Sequence, residues 1–184
     1  MNQLQTVQIG VRRARKPIRP HLHLVSAATA VDVVVREALP TDVDEMHVLL
    51  ETFARQGLLL PRAVDEVYRN FREFVVAEHH GRIAGCAGLR LYNSELGEIV
   101  ALAVSGESHG NGVGRTLVET LLAQAKSLGL RKVIALTLQP GFFAKLGFEP
   151  VDVADYPQKV QADCSRCARR ATCNELAFAY ELGE

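Results

Sequence analysis

Leu102-Ala103-Val104-Ser105-Gly106-Glu107-Ser108-His109-Gly110-Asn111-Gly112-Val113-Gly114-Arg115 passes from apolar strand-forming residues, through a stretch rich in Gly, Ser and Asn, into a helical pattern. Upstream, Glu98 to Val104 reads as a buried strand. Downstream, Val113, Leu117, Val118, Leu121, Leu122, Ala125 and Leu128 recur at helical spacing over residues 112–128, and Gly129 stops the helix. Glycines in a loop between a strand and a helix let the backbone approach a ligand closely and aim amide N–H groups outward, and the helix start adds partial positive charge. The chemistry favoured there is phosphate or diphosphate. A Gly-x-Gly-x-Gly run taken alone is equally compatible with a plain turn, so the context decides.

Two familiar phosphate sites fail on that context. A nucleotide-binding P-loop needs Gly-Lys-Ser/Thr, but Gly114 is followed by Arg115-Thr116 and the spacing is wrong. A dinucleotide site places its glycines after the first strand, with an acidic residue about 20 positions on. Here the loop follows several strands, and that position falls near Ala135.

Outward from this segment, Val33 to Arg36 is a short β-branched run, and Thr41 offers a helix cap with Asp44 three residues on. Val43, Met46, Leu49, Leu50 and Phe53 mark a first helix ending at Gly57, and residues 62–72 a second. Phe74 to Glu78 and Ile83 to Tyr92 read as strands around a turn at Gly81, with Gly85 and Gly88 pointing to a bulge or close backbone approach. Beyond the long helix come a strand at 131–138, a short helix through Phe142 and Phe143, a strand from Phe148, and a closing strand from Leu176 to Leu182. The succession predicts an α/β (α+β) domain built on a mixed sheet.

The chain has 184 residues, enough for one domain with a sizeable core. Its net charge of zero gives no case for nucleic acid or a membrane surface, and no stretch approaches the ~20 apolar residues of a membrane helix. Arg12, Arg13, Arg15, Lys16 and Arg19 stand against a lone Asp32, so residues 1–32 read as a basic, disordered leader ahead of a domain over 33–184. No secretory signal is evident, which makes a reducing cytoplasm the expected location and structural disulfides unexpected.

The order strand, Leu102-Ala103-Val104, loop, His109-Gly110-Asn111-Gly112-Val113-Gly114, helix resembles the signature of the Gcn5-related N-acetyltransferase (GNAT) family. A second family mark is Phe143-Ala144-Lys145-Leu146-Gly147-Phe148, similar to the family's late Tyr-x-Lys-x-Gly-Phe segment. The resemblance implies a mostly antiparallel sheet flanked by helices and acetyl-CoA as cosubstrate. It implies that the amides of His109 to Gly114, with Arg115, bind the pyrophosphate, and that the strand at Leu102, Ala103 and Val104 splays from its neighbour to hold the pantetheine arm. His109 departs from the family's Gln or Arg, and Phe143 stands where the family carries a thiolate-protonating Tyr.

The resemblance also suggests chemistry. Glu98 matches the place where the family often keeps a carboxylate base acting through water, although a plain strand start would suit the same residue; Glu95 is the reserve. The amide of Leu102 or Ala103 would stabilise the oxyanion. The general acid stays unassigned, with Tyr92 an alternative donor to the sulfur. Within the family the chain looks most like stand-alone N-acetylglutamate synthases. Gln56-Gly57-Leu58-Leu59-Leu60-Pro61-Arg62 resembles their Gly-Ile-Leu-x-x-Arg segment, Glu98 to Val104 their Glu-x-x-x-Leu-Ala-Val strand, and Leu136-Thr137 with Phe142-Phe143 their Leu-Thr-Thr and aromatic pair. That implies L-glutamate as acceptor, in the first step of arginine biosynthesis, with Arg62 and Thr137 binding it. A dicarboxylate needs fixed cations, and Arg binds carboxylate bidentately, so Arg90, Arg166 and Arg170 are second choices.

Cys164-x2-Cys167-x5-Cys173, within a Cys-rich loop at 162–174, invites a zinc reading with Asp163 as fourth ligand, against free thiols in a surface loop. Other acceptors (a polyamine, a drug, a protein terminus) and a non-catalytic acyl-CoA sensor are the rival readings. A homodimer is left open by the residues.

Overall fold

In the computed structural model, residues 33–183 are described; the basic leader at 1–32 and Glu184 lie outside the described residues. The β-branched run forms β1 (Val33–Glu37), followed by a single 3-10 turn and α1 (Val43–Arg55). Thr41 is not the cap: it sits inside that turn, and Asp42 is the N-cap residue of α1. The Asp42 carboxylate accepts from the Leu39 amide at 2.7 Å and from Arg36 Nη1 at 2.6 Å. The Arg36 hydrogen bonds hold that carboxyl below the usual range against its partial burial.

α2 (Val64–Asn70) leads into β2 (Phe74–His79) and β3 (Arg82–Leu91). These two strands are joined through His80 and Gly81, whose φ angles of 50° and 75° suit the twist of a two-residue hairpin. β4 (Leu96–Val104), α3 (Val113–Ser127), β5 (Lys132–Thr137), α4 (Pro140–Ala144) and β6 (Glu149–Val151) follow, then α5 (Pro157–Ala162), two 3-10 turns and β7 (Leu176–Glu181). The sheet order is β1-β2-β3-β4-β5-β7-β6, antiparallel throughout except β4 against β5. The expected mixed, mostly antiparallel sheet is therefore present, and the last strand enters it between β5 and β6.

Helices cover both faces, because alternate residues of the central strands are apolar on both sides. One core packs Val113, Leu117, Val118, Leu121 and Ala125 of α3 onto Val75, Ala87, Ile99 and Val133, with Phe143 and Phe148 at its edge. The other packs Val43, Met46 and Leu50 of α1 and Val67 of α2 onto Phe74, Val76, Cys86 and Ala103. Each fully buried aliphatic side chain contributes about 1.5–3 kcal/mol, so the α3 stripe alone anchors that helix firmly.

The irregularities of β4 matter more than its regular part. Cys86 opposes Ala103 but Gly88 opposes Val100, so two β4 residues lie against one of β3, and Ala101 takes a φ of 53°. This is a β-bulge that bends the strand. Gly85 permits it: a Cβ there would stand 2.9 Å from the Ala103 carbonyl oxygen. Gly85→Ala should destabilise the protein by about 1–3 kcal/mol through that overlap, seen as a lower urea midpoint with an unchanged slope.

Candidate active site

β4 and β5 pair only from Leu96↔Lys132 to Ile99↔Ala135. Past that point β5 continues alongside β7, whereas β4 bends at its bulge and keeps β3 alone. One edge of Val100 to Val104 is thus left with no strand to take its N–H and C=O groups, as an extended ligand would require. The turn after β4 leads into α3 through Gly110 (φ 78°) and Gly112 (φ 79°), both in the left-handed region. Gly112 is the N-cap residue and has no side chain with which to satisfy the first-turn amides, so those of Val113, Gly114 and Arg115 point outward. Among the described residues, chain neighbours aside, no atom lies within 4 Å of where a Cβ would stand at Gly110 or Gly112, whereas a Cβ at Gly114 would stand 3.4 Å from the Phe142 ring. The His109 ring lies 6.5 Å from that of Phe53. This concave run of amides fits a diphosphate, and the free β4 edge leads away from it toward the interior.

At the other end of that edge lies a cleft of about 1550 Å³. Glu98, Ile99, Val100 and Ala101 of β4 line it, and Leu59 to Arg62 and the segment from Asp152 to Cys173 contribute further walls. Glu98 projects on the face opposite the α3 core and in register with Arg90 of β3. Its side chain is only 4% exposed. Lys159 Nζ of α5 donates to Glu98 at 2.9 Å and to Asp163 at 3.0 Å. The Tyr92 hydroxyl lies against both carboxyls, with Asp163 Oδ2 at 2.6 Å. Arg90 approaches Asp163 at 3.4 Å and Glu73 at 3.8 Å.

The same partners act differently on the two acids. Burial pushes the Glu98 carboxyl above its ordinary value, although the Lys159 charge and the Tyr92 hydrogen bond pull it back. Burial also opposes ionisation of Asp163, but hydrogen bonds from Tyr92 and Lys159 and the charges of Lys159 and Arg90 outweigh it and hold that carboxyl low. Lys159 loses most from desolvation, yet the charges and hydrogen bonds of Glu98 and Asp163 together outweigh that loss and raise its affinity for the proton. The Tyr92 phenol is pushed up, by burial first and by Glu98 second. A carboxyl whose proton affinity is raised above the ordinary, at the wall of a cleft, is suited to collect a proton from a substrate.

Arg62, Arg90, Arg166 and Arg170 all line the cleft, and Arg62, with its side chain 18% exposed, is paired with Glu66 at 2.7 Å. The Thr137 hydroxyl accepts from the Gln139 amide at 2.8 Å, and Thr137 is not among the lining residues. Glu95 borders a separate cavity of about 340 Å³ with Arg131 and Lys132. Phe143 is buried in the α3 core, edge-on to Phe142 and Phe148. Cys164, Cys167 and Cys173 are free thiols at the cleft. Among the described residues no group of three or more His, Cys, Asp or Glu side chains is arranged to hold a metal ion. Asp163, counted with the thiols from sequence, faces Tyr92 and Lys159 instead. Sequence reasoning missed Lys159 entirely; Pro157, at the first position of α5, was the available signal for that helix. Arg169, which the sequence sets among the arginines flanking the cysteines that could touch substrate or the coenzyme 3′-phosphate, donates to the carbonyls of Gly57 at 2.8 Å and Leu59 at 3.2 Å and so ties the cysteine segment to the loop before Arg62.

The family model of the acetyltransferase (GNAT) family matches residues 43–148. An uncharacterised N-acetyltransferase of Chlorobaculum tepidum is 35% identical over 153 residues, 83% of this chain and 99% of that protein. An amino-acid acetyltransferase of Mycobacterium tuberculosis is 38% identical over 122 residues, 65% of this chain and 70% of the relative. Among solved structures, N-acetylglutamate synthase from Neisseria gonorrhoeae complexed with coenzyme A and N-acetyl-glutamate superposes with a TM-score of 0.74 at 27% identity, covering 83% of this chain. The chain spans only 35% of the length of that synthase. A second structure, a Mycobacterium tuberculosis protein in complex with CoA, gives a TM-score of 0.70 at 30% identity and covers 80% of this chain and 98% of that one.

Because Lys159 is the charge that most opposes the upward push on Glu98, Lys159→Met should move the Glu98 carboxyl midpoint further up. A ¹³C-carboxyl NMR titration of the two proteins checks this; an unmoved or lowered midpoint contradicts the assignment.

Proposed function

Because this chain belongs to the acetyltransferase (GNAT) family, we propose that it is an amino-acid N-acetyltransferase that moves the acetyl group of acetyl-CoA onto the α-amino group of L-glutamate. The observation that carries the reading is the splayed β4 edge, running from an amide-lined helix start to a cleft that holds a buried carboxyl and several arginines. The amino-acid acetyltransferase relatives and the synthase solved with N-acetyl-glutamate support glutamate as the acceptor.

In this mechanism the first-turn amides of α3 and the Gly110–Gly112 turn hold the diphosphate, and the free edge at Leu102 to Val104 orients the pantetheine arm. A backbone amide of Leu102 or Ala103 donates to the carbonyl oxygen as it gains negative charge. Arg62 releases Glu66 to bind a substrate carboxylate, with Arg90, Arg166 and Arg170 around it. Glu98 takes the ammonium proton, directly or through one water, and the amine attacks the thioester carbon. The tetrahedral adduct collapses as the carbon–sulfur bond breaks, and the second nitrogen-bound proton leaves through water to the departing thiolate. Phe143 has no hydroxyl and Tyr92 is engaged by Glu98 and Asp163, so neither of these two is placed to protonate the sulfur.

Free thiol should appear when acetyl-CoA and L-glutamate are mixed with the protein, and not with polyamines or peptides. An acyl-CoA sensor would bind the coenzyme and release no thiol. Glu98→Gln should lower kcat by about 10²–10⁴-fold with little change in coenzyme affinity measured by calorimetry. Arg62→Ala should raise the KM for glutamate about tenfold or more through loss of a charge-assisted carboxylate contact; unaltered glutamate kinetics would remove Arg62 from the pocket.

A further inference from the structure

Acetylation of an ammonium releases one net proton per turnover, because the amine gives up two and the departing thiolate takes one. In the mechanism above that proton is collected by Glu98, whose side chain is 4% exposed. Asp163 is 30% exposed. Between the two lies the Tyr92 hydroxyl, in contact with Glu98 Oε2 on one side and 2.6 Å from Asp163 Oδ2 on the other.

A phenol owns a single hydrogen, so both contacts are hydrogen bonds only when one carboxyl is itself protonated and donates to the phenol oxygen. That condition is met just after Glu98 has accepted its proton. We infer that Tyr92 and Asp163 form a relay that carries the proton from Glu98 to solvent, an inference that rests on Glu98 acting as the base. In the step, the Glu98 O–H bond breaks as its hydrogen binds the Tyr92 oxygen, and the Tyr92 hydrogen passes to Asp163. Glu98 is again a carboxylate, the phenol is again neutral, and Asp163 gives the proton to water. Rotation of the hydroxyl resets the chain. Lys159 stays an ammonium throughout, donating to both carboxyls, so the charge it faces is the same before and after transfer.

The other charged groups around the relay disfavour a lasting proton on Asp163, which makes it a transient carrier that sheds the proton readily to water. Arg90 of β3 approaches Asp163 at 3.4 Å, and Glu73, ahead of β2, lies on the far side of Arg90. Arg62 and Glu66 pair with each other four residues apart on one wall of the cleft, and the Cys164 thiol is pushed up by burial, so it is neutral beside Asp163. Tyr92 and Asp163 are positioning residues here: neither is assigned a contact with the reacting atoms.

Tyr92→Phe keeps the ring and removes the hydroxyl. In dilute buffer its kcat should fall about tenfold or more with the KM for acetyl-CoA unchanged, and added imidazole, a small base able to enter the cleft, should restore it. Asp163→Asn should behave in the same way and serves as the second variant if Tyr92→Phe folds poorly. Full kcat in both variants, or a loss that imidazole does not restore, overturns the relay in favour of direct exchange between Glu98 and cleft water. If the wild-type protein releases no thiol with L-glutamate, the acceptor assignment fails separately, and the relay is then read in the ligand-free protein. There, ¹³C-carboxyl titration should show at least one of the Glu98 and Asp163 midpoints rising in Tyr92→Phe, since the pair loses the single hydrogen the phenol can donate; two unmoved midpoints overturn it.

Discussion

The loss of hydrogen bonding between β4 and β5 after Ile99 is the constraint on which the rest of the site depends. A parallel pair inside a sheet would normally continue, because unpaired backbone groups away from water cost about as much as a lost hydrogen bond. Here the bulge at Ala101 bends β4 toward β3, and β5 finds its remaining partners in β7. The divergence creates a groove whose wall is a row of backbone donors and acceptors. It also removes β5 from the side of Val100 and Ala101, which is why a cleft exists there at all. A bulge residue with positive φ that is not glycine carries strain of about 1–2 kcal/mol, and such strain persists where packing over-determines it. The packing is visible in Ala103 and Cys86, both fully buried in the α1 core on either side of the irregularity.

The second dependence is electrostatic. Two carboxyls share one lysine and one phenol, and burial decides which of them keeps a proton. Glu98 sits on the central strand behind α5, where desolvation outweighs its partners; Asp163 sits at the end of α5, where the same partners outweigh desolvation. Two acids whose environments drive their affinities apart are the usual physical basis for distinct proton-handling roles. Lys159 reaches from α5 to the sheet and, among the described residues, is the cation that hydrogen-bonds both acids.

How legible this was from sequence differs element by element. The strands at Phe74, Arg82 and Lys132 and the helix at Val113 have strong period and glycine punctuation, and the structure places them within a residue or two of the expected ends. Gly85 and Gly88 pointed to a bulge or close approach because a Cβ at Gly85 would stand 2.9 Å from the Ala103 carbonyl oxygen and one at Gly88 3.0 Å from Val100 Cγ2. The Thr41 cap failed because Asp42, one residue on, offers a carboxylate that Arg36 and the Leu39 amide both engage. α5 was invisible for a different reason: six residues give too few positions for a helical period, and its worth lies in one lysine meeting residues 61 positions away in the chain. Pairings of that kind follow from sheet order, and nothing local in Leu176 to Glu181 says that this strand inserts between β5 and β6.

The placement of aromatics completes the division of labour. The family pattern has a Tyr where this chain has Phe143, and the ring here is buried against Phe142 and Phe148 on the α3 side of the sheet. A hydroxyl there would need a partner that this apolar cluster does not contain, at the expense of a buried unsatisfied group. Tyr92, by contrast, lies with Leu136 and Val151 on the opposite side of the sheet, packed beside Leu96 and Ile134, with its oxygen already satisfied by two acids. The fold therefore sets the Tyr92 phenol beside Glu98, the carboxyl proposed as base, and a phenyl ring where the family pattern has a hydroxyl. That is workable chemistry for a thiolate, which departs as an anion and takes its proton from water, whereas an amine attacking as an ammonium cannot proceed until a base has acted.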